Sequence, residues 1–315
     1  MSIVFGPIPS RRLGRSLGIN NIPPKVCSYS CVYCQVGITD SMSVKRKEYY
    51  LPREMFLEVS EKVKQLRKKG EHINYLTFVP DGEPTLDINL GKTIDLLKPL
   101  GIKIAVITNS SLLWNEDVRK ELMNADWVSV KIDTVDEIIW HKINRPNGKL
   151  NFQKTMSGIK KFTSSYKGKL VTETMLVNGI NDRVASIRRT ADIINWINPD
   201  KSYILVPTRP PAEKFVEPPS EKNINIAYQI YNSLLNNVEL LTSNEGTDFS
   251  YSSDAEKELL SILAVHPMRK DAVENFIGKA NLEWHMVENM IDKNVIKEVH
   301  YSGSTFIVKI MRKIN

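Results

Sequence analysis

The sequence predicts an α/β protein, with a parallel sheet covered by helices and a small domain after it. One observation is that apolar segments alternate with amphipathic ones from about residue 53 to residue 240. The other is a change after residue 253, where three short helical segments precede a hairpin. The chain therefore divides into a domain at 1–240, a linker at 241–253 and a domain at 254–315.

Six apolar segments predict the strands of the first domain, and five amphipathic segments predict the helices between them. The strands are SLGINNI near residue 16, 73–80, 102–109, 126–133, 169–177 and 201–207; the helices are 52–70, 91–100, 115–125, 151–165 and 182–197. In the first helix the apolar residues recur at spacings of three and four, and Asn115 is placed to cap another helix. This alternation predicts about six β/α units, either as an open sheet or as a partial barrel. Both folds place their chemistry at the carboxyl ends of the strands, where the proline-rich stretch 207–220 also begins.

Residues 254–315 have the pattern of a winged-helix domain. Helical segments at 254–267, 268–278 and 281–294 precede two strands that meet at Ser302-Gly303. This domain has nine Lys or Arg and nine Asp or Glu, and its third helix carries more acidic than basic residues. Because a phosphate backbone repels such a helix, duplex DNA is a poor candidate partner.

Composition predicts an ordinary globular protein, with 42% hydrophobic and 25% charged residues. No apolar run approaches the roughly 20 residues that span a bilayer. The N-terminus lacks the order of a signal peptide, so we expect a cytoplasmic protein with reduced thiols. Residues 1–70 contain 13 Lys or Arg against 5 Asp or Glu. This basic segment indicates either an anionic partner such as RNA or a solvated basic face.

All three cysteines of the chain lie within eight residues, in the loop KVCSYSCVYCQVG at 25–37. Their spacing is Cys27-x3-Cys31-x2-Cys34. Structural zinc usually takes four ligands in two separate pairs, and none of the five histidines belongs to a recognisable pair. Three cysteines suit a [4Fe–4S] cluster that leaves one iron open for a ligand. Zinc is the alternative.

The triplet, with Tyr33 just before its last cysteine, resembles the signature of the radical S-adenosylmethionine (SAM) superfamily. The segment Asp81-Gly82-Glu83-Pro84, directly after strand 73–80, resembles the Gly-Glu-Pro motif through which that family receives the SAM ammonium group. Asp81 stands where many members have glycine, and an ordinary turn is the alternative for this segment. The resemblance covers roughly residues 1–240.

The resemblance implies a partial (β/α)6 barrel with a [4Fe–4S] cluster held by Cys27, Cys31 and Cys34. SAM would chelate the fourth iron through its amine and carboxylate. One electron, from a donor such as ferredoxin or flavodoxin, would cleave SAM to methionine and a 5′-deoxyadenosyl radical. That radical would abstract hydrogen from the substrate, while the protein positions the reactants.

Polar residues at the strand ends complete the predicted site. Glu83 and Gly82 are predicted to bind SAM, and Asp133 is a candidate catalytic residue. Further candidates for cofactor contacts are Tyr33, Thr108, Asn109, Ser110, Lys131, Glu173 and Asn178. The alternatives are helix capping for 108–110, an ion pair inside the barrel for Lys131 and Asp133, and core packing for the Tyr33 ring.

A narrower resemblance indicates the branch related to the wybutosine-forming enzymes, which rebuild a guanine base in tRNA. It rests on PIPSRRLGRSLGIN, on INRP at 143–146 and on PTRPPAE at 207–213. The chain departs from those relatives because it lacks cysteines for a second cluster.

Three functions follow from these features. The first is a radical SAM enzyme acting on RNA, with a tRNA base as the leading substrate and with phosphate contacts from Arg11, Arg12, Arg15, Arg145 and Arg209. The second is the same chemistry on a peptide held by the winged-helix domain. The third is a metal-stabilised regulator that binds DNA. The sequence does not indicate an oligomeric state.

Overall fold

The computed structural model of the chain describes residues 3–242, 246–249 and 254–310. Strands in these residues are β1 (Val4–Ser10), β2 (Gly14–Ile19), β3 (Val26–Cys27), β4 (Ser41–Met42), β5 (Tyr75–Phe78), β6 (Lys103–Thr108), β7 (Trp127–Lys131), β8 (Lys169–Met175), β9 (Lys201–Leu205), β10 (Val238–Leu241), β11 (Met268–Arg269), β12 (Ile296–Tyr301) and β13 (Ser304–Lys309). The α-helices are α1 (Pro52–Lys68), α2 (Leu90–Leu97), α3 (Glu116–Leu122), α4 (Glu137–Asn144), α5 (Phe152–Ser165), α6 (Val184–Ile197), α7 (Glu221–Leu234), α8 (Ala255–Val265), α9 (Lys270–Lys279) and α10 (His285–Asp292).

The main sheet has the order β1-β2-β5-β6-β7-β8-β9-β10. Strands β2 and β5 to β10 are parallel, and β1 pairs with β2 in the antiparallel direction. All six predicted strands are confirmed, and six strand–helix units lead to a seventh parallel strand, β10, which the sequence pattern missed. The parallel sheet of an α/β fold is thereby confirmed. Each strand is added beside the preceding one, which is the strand order of a barrel rather than of a doubly wound sheet.

The sheet curves strongly, as a contact across its concave face shows. Arg12, in the turn between β1 and β2, forms an ion pair with Glu173 on β8. Strands β2 and β8 stand four positions apart in the sheet, which would separate them by about 19 Å in a flat sheet at the usual strand spacing. A single arginine side chain does not bridge that distance, so the sheet must curve. Leu13 shares an apolar cluster with residues of β6 to β10, which fills the same concave face.

The amphipathic helices pack on the outer face as the sequence predicts. The apolar positions of α1, from Met55 to Leu66, are buried in the main core with residues of the sheet. Asn115 caps α3 by accepting a hydrogen bond from the Asp117 amide at 2.9 Å. Two helices went unpredicted, α4 beside the cysteine loop and α7 after the proline-rich stretch.

Residues 254–310 contain three helices and a three-stranded antiparallel sheet in the order β11-β13-β12. The predicted hairpin is confirmed as far as Lys309, and its turn uses positive φ at both Ser302 (48°) and Gly303 (73°). The predicted continuation of its second strand beyond residue 310 lies outside the described residues.

This C-terminal unit is packed firmly against the main sheet. Phe5 and Ile8 of β1 belong to its apolar cluster, and Lys62 of α1 forms an ion pair with Glu258 of α8 at 2.6 Å. Most of the predicted linker, 243–245 and 250–253, lies outside the described residues. Within the piece at 246–249, Phe249 is buried in the same cluster, so this piece is anchored.

Candidate active site

The three cysteines line one cavity of about 270 Å³ at the carboxyl ends of the parallel strands. Cys27 ends β3, whose pairing with β4 fixes the start of the loop. Two turns shape the rest, since the Cys34 amide donates to the Cys31 carbonyl and the Gly37 amide to the Cys34 carbonyl, both at 3.1 Å. The cysteines are half-buried and form no disulfide.

Two asparagine amides donate hydrogen bonds to cysteine sulfurs. Asn109, at the end of β6, places Nδ2 3.4 Å from Cys27 Sγ. Asn144, at the end of α4, places Nδ2 3.5 Å from Cys31 Sγ. Such bonds stabilise negative charge on a thiolate ligand and tune the metal behind it. Asn109 was predicted to contact SAM, whereas the role of Asn144 in the INRP segment was not foreseen.

Burial raises the pKa of all three thiols. For Cys31 the pKa is raised to about 12, chiefly by burial and secondly by the Asp133 carboxylate, while the Asn144 amide opposes the shift. The pKa of Cys27 and of Cys34 is also raised, and burial is the largest cause for both. These thiols therefore keep their protons in the metal-free chain, and metal binding must release them.

Glu83 lies beneath the cavity wall and holds the end of β6. Its side chain is fully buried, with Oε1 accepting from Thr108 Oγ1 at 2.6 Å and Oε2 accepting from the Asn109 amide at 2.7 Å. Thr85 supplies two further donors to Oε1. Burial raises the pKa of Glu83, and these hydrogen bonds act in the opposite direction. In this geometry Glu83 positions Thr108 and Asn109, and its predicted contact with SAM stays a prediction.

Asp133 is also a positioning residue in this structure. It accepts hydrogen bonds from Tyr33 OH and from Asn144 Nδ2 at 2.7 Å, and the Met175 amide donates to its Oδ1 at 2.8 Å. Its carboxylate is buried and does not line the cysteine cavity. The Asp133 side chain therefore fixes the hydroxyl end of the Tyr33 ring. The catalytic role predicted for Asp133 gains no support from this placement.

Charged groups from β7 and β8 form the floor of the cavity. Lys131 Nζ lies 3.4 Å from Asp133 and over the Tyr33 ring, 5.1 Å from its centroid. Glu173 accepts a hydrogen bond from Ser129 Oγ at 2.7 Å and pairs with Arg12. Burial is the largest influence on the pKa of Glu173 and raises it. The positive charges of Arg12 and Lys131, with the hydrogen bonds, outweigh burial, so the pKa is lowered and the carboxylate stays ionised.

The remaining predicted residues separate into those that line the cavity and those that do not. Cavity-lining ones are Tyr33, Gly82, Lys131, Glu173, Arg11, Arg12 and Arg209. Thr108 and Ser110 are buried behind it, where Ser110 Oγ accepts from the Lys131 amide at 2.8 Å. Asn178 is exposed, and its amide donates to the Glu217 carbonyl at 3.0 Å, so the structure places it away from the cofactor cavity.

Two of the predicted phosphate-binding arginines are also outside the cavity. Arg15 forms ion pairs with Glu71 and Asp248, and Arg145 pairs with Glu213. Their guanidinium groups are therefore engaged in ion pairs within the chain, which does not support the phosphate contacts predicted for them.

Two charged residues that were not predicted as site residues, Lys25 and Asp81, line the cavity. A cation two residues before the first cysteine was a signal for Lys25.

The residues present fit a [4Fe–4S] cluster better than a single metal ion. Among residues 3–242, 246–249 and 254–310, no three His, Cys, Asp or Glu side chains converge closely enough to hold one ion. Zinc needs such convergence, whereas each cysteine of a cluster site binds a different iron. The three cysteines surround one cavity, and two of them accept hydrogen bonds from amide groups. This arrangement suits a cluster in which each cysteine binds a different iron.

Comparison with known proteins agrees with this site. The family model described as the Radical SAM superfamily matches residues 21–191. UPF0026 protein MJ1312 of Methanocaldococcus jannaschii is 45% identical over 311 residues, which cover 98% of this chain and 96% of that protein. An S-adenosylmethionine-dependent nucleotide dehydratase of Lacinutrix mariniflava is 30% identical over 119 residues, covering 38% of this chain and 24% of that protein. The structure of a radical SAM methyltransferase from Sphaerobacter thermophilus has a TM-score of 0.54 and 14% identity, covering 73% of this chain and 67% of that one.

The chain is therefore a radical SAM enzyme. Within that superfamily it belongs to the UPF0026 family. Membership implies a [4Fe–4S] cluster, SAM and an external electron donor. The narrower resemblance to the wybutosine-forming enzymes stays a prediction. No helix in the described part of the chain combines the length and apolar character needed to cross a membrane.

Proposed function

We propose that the chain uses its cluster and SAM to take a hydrogen atom from a nucleotide-containing substrate, with a base in RNA as the leading case. The observation that carries this proposal is the charge of the cysteine cavity. Five cationic side chains line it against two carboxylates, namely Arg11, Arg12, Lys25, Lys131 and Arg209 against Asp81 and Glu173. Such a cavity favours an anionic substrate. The similarity to a nucleotide dehydratase also supports a nucleotide.

The chain's own residues supply position and electrostatics. Cys27, Cys31 and Cys34 would hold the cluster, while Asn109 and Asn144 orient two of their sulfurs. When bound, the cluster and SAM supply a carbon radical that abstracts hydrogen. Arg209 is placed at the cavity wall by Gln35 Oε1 at 2.5 Å and His266 Nε2 at 2.8 Å, where a phosphate can reach it.

The test is 5′-deoxyadenosine formation by the cluster-loaded protein under anaerobic conditions with SAM and dithionite. Reactions contain total tRNA, a mixture of mononucleotides, or neither. We expect nucleotide-dependent product whose yield falls as salt rises, because phosphate contacts are screened. Product that ignores both additions would reject a nucleotide substrate. No product despite a full iron complement would reject the radical mechanism itself.

A peptide substrate is the second candidate, and a groove favours it. This groove, of about 640 Å³, lies between the strand ends and the C-terminal unit and shares Val206, Pro207 and Thr208 with the cysteine cavity. Its other walls include Leu240, Tyr301 and Phe306, which suit an extended peptide. Product formation that peptides stimulate and nucleotides do not affect would establish this alternative.

The third candidate function was a metal-stabilised regulator that binds DNA. Membership of a superfamily of enzymes argues against it.

We propose further that residues 254–315 form a winged-helix domain after a domain at 1–240 and a linker at 241–253. Three helices followed by a strand pair support this division. The C-terminal unit also reaches the active site, since Val265 lines the cysteine cavity.

We propose a cytoplasmic location, because the three free thiols suit a reducing compartment. Cell fractionation tests this location.

A further inference from the structure

Lys25 and Asp81 form an incompletely satisfied ion pair in the cysteine cavity. Lys25 is 7% exposed and Asp81 is 3% exposed, and both line the cavity. Lys25 Nζ lies 3.4 Å from Asp81 Oδ2. Within the described residues neither of these atoms makes a well-formed hydrogen bond. The contact is thus a charge pair with donor and acceptor capacity left over.

The backbone holds both residues firmly in place. The Lys25 amide donates to the Asp81 carbonyl at 2.8 Å, and the Glu83 amide donates to the Val26 carbonyl at 3.2 Å. Gly82 has a φ of +154°, and a Cβ there would lie 1.9 Å from the Val26 carbonyl oxygen. Lys25 itself has a φ of 62°, a left-handed conformation that costs energy for a lysine. The fold therefore maintains a strained lysine beside a buried carboxylate.

Burial of this pair is unfavourable unless a ligand completes it. Burial raises the pKa of Asp81 to about 6, while Lys25 acts in the opposite direction. An ammonium that is removed from water needs acceptors, and one carboxylate oxygen at 3.4 Å supplies little of that need. A ligand carboxylate entering the cavity would give Lys25 a strong charge-assisted hydrogen bond.

We propose that Lys25 binds the carboxylate of the methionine end of SAM, and that Asp81 holds the lysine in position for it. This inference rests on the proposed function, because it requires SAM in this cavity. SAM is the ligand of choice because Lys25 lines the same cavity as the three cysteines and Gly82. Asp81, whose carboxylate lies 3.4 Å from Lys25 Nζ, is then a positioning residue.

The test compares two ligands in cluster-loaded protein with the cluster oxidised, so that no turnover occurs. Equilibrium dialysis measures the binding of SAM and of decarboxylated SAM, which lacks only the carboxylate. We expect Lys25→Met to weaken SAM binding at least tenfold and to change the affinity for decarboxylated SAM less than threefold. Asp81→Asn should give a smaller loss with the same selectivity. Lys45→Met, at an exposed lysine on the neighbouring segment, is the control and should bind both ligands normally.

Equal losses for the two ligands, or no loss for SAM, would overturn the role of Lys25. If Lys25→Met fails to hold the cluster, the Lys25→Arg variant is tested instead. Because arginine retains the positive charge, this variant should prefer SAM over decarboxylated SAM nearly as strongly as the natural chain does. Loss of that preference in Lys25→Arg with a normal iron content would also overturn the proposal. Failure of the proposed function would be seen separately, as natural protein that holds the cluster but yields no 5′-deoxyadenosine.

Discussion

The hydrogen bond from Asn144 to Cys31 should set part of the cluster's reduction potential. Replacing Asn144 with leucine removes the amide that lies 3.5 Å from the sulfur and keeps a similar volume. Sulfur becomes more negative when the cluster is reduced, so the lost bond destabilises the reduced form more than the oxidised form. A hydrogen bond contributes about 0.5–1.5 kcal/mol, so a difference of about 1 kcal/mol between the two forms is expected. Since 59 mV corresponds to a tenfold change for one electron, the potential should fall by about 40 mV.

A redox titration followed by electron paramagnetic resonance measures this shift. Asn21→Leu is the matched control, because Asn21 is a buried asparagine whose amide donates to the Pro84 carbonyl at 2.9 Å and to Asp87. It should lower stability without moving the potential. Asn109→Leu should lower the potential by a similar amount, since Asn109 donates to a different cysteine. An unchanged potential in Asn144→Leu, or an equal shift in Asn21→Leu, would refute the reasoning.

Three further predictions concern the framework of the site. Gly82→Ala should destabilise the metal-free chain by roughly 3 kcal/mol or more, because its Cβ would meet the Val26 carbonyl at 1.9 Å, and a normal thermal unfolding curve would contradict this. Arg12→Met should cost about 3–5 kcal/mol by leaving the Glu173 charge buried and less well compensated. Adding Glu173→Gln should recover part of that loss in urea unfolding, and a double variant no more stable than the single one would count against the pair. Burial raises the pKa of Asp87 to about 6, so its native carboxyl holds a proton that the unfolded chain releases near pH 4. The free energy of unfolding should therefore fall by roughly 3 kcal/mol as pH rises from 4 to 6. The Asp87→Asn variant should lose that part of the pH dependence. If the variant and the natural chain show the same dependence of stability on pH, Asp87 is not its source.

The sequence predicted those parts of the fold whose signals are local. Strands β5 to β9 are mostly buried and read as predominantly apolar runs, although β8 also holds Thr172, Glu173 and Thr174. Strand β10 was missed because Glu239 interrupts its short apolar run and only Leu241 in it is buried, and α7 was missed because the prolines of 207–220 obscured where regular structure resumes. The cysteine site was predicted because all three ligands lie in one loop.

The polar surroundings of that loop could not be predicted in the same way. Asn109 lies 82 residues after Cys27, and Asn144 lies 113 residues after Cys31. Which side chains meet a sulfur depends on packing between distant elements, and sequence periodicity carries no such information. Strand-end position alone also could not separate Lys131, which faces the cavity, from Asp133, which lies beneath it.

The separation between the cysteines and their amide donors has a consequence for biosynthesis. The cysteine loop leaves the ribosome early, but the Asn144 amide that orients Cys31 follows 113 residues later, with α4. Until β6, β7 and α4 have been made, the loop lacks both asparagines, and its thiols lack their buried surroundings. The cluster is therefore best inserted into a chain that has already folded, and iron–sulfur carriers would have to deliver it through the mouth of the finished cavity.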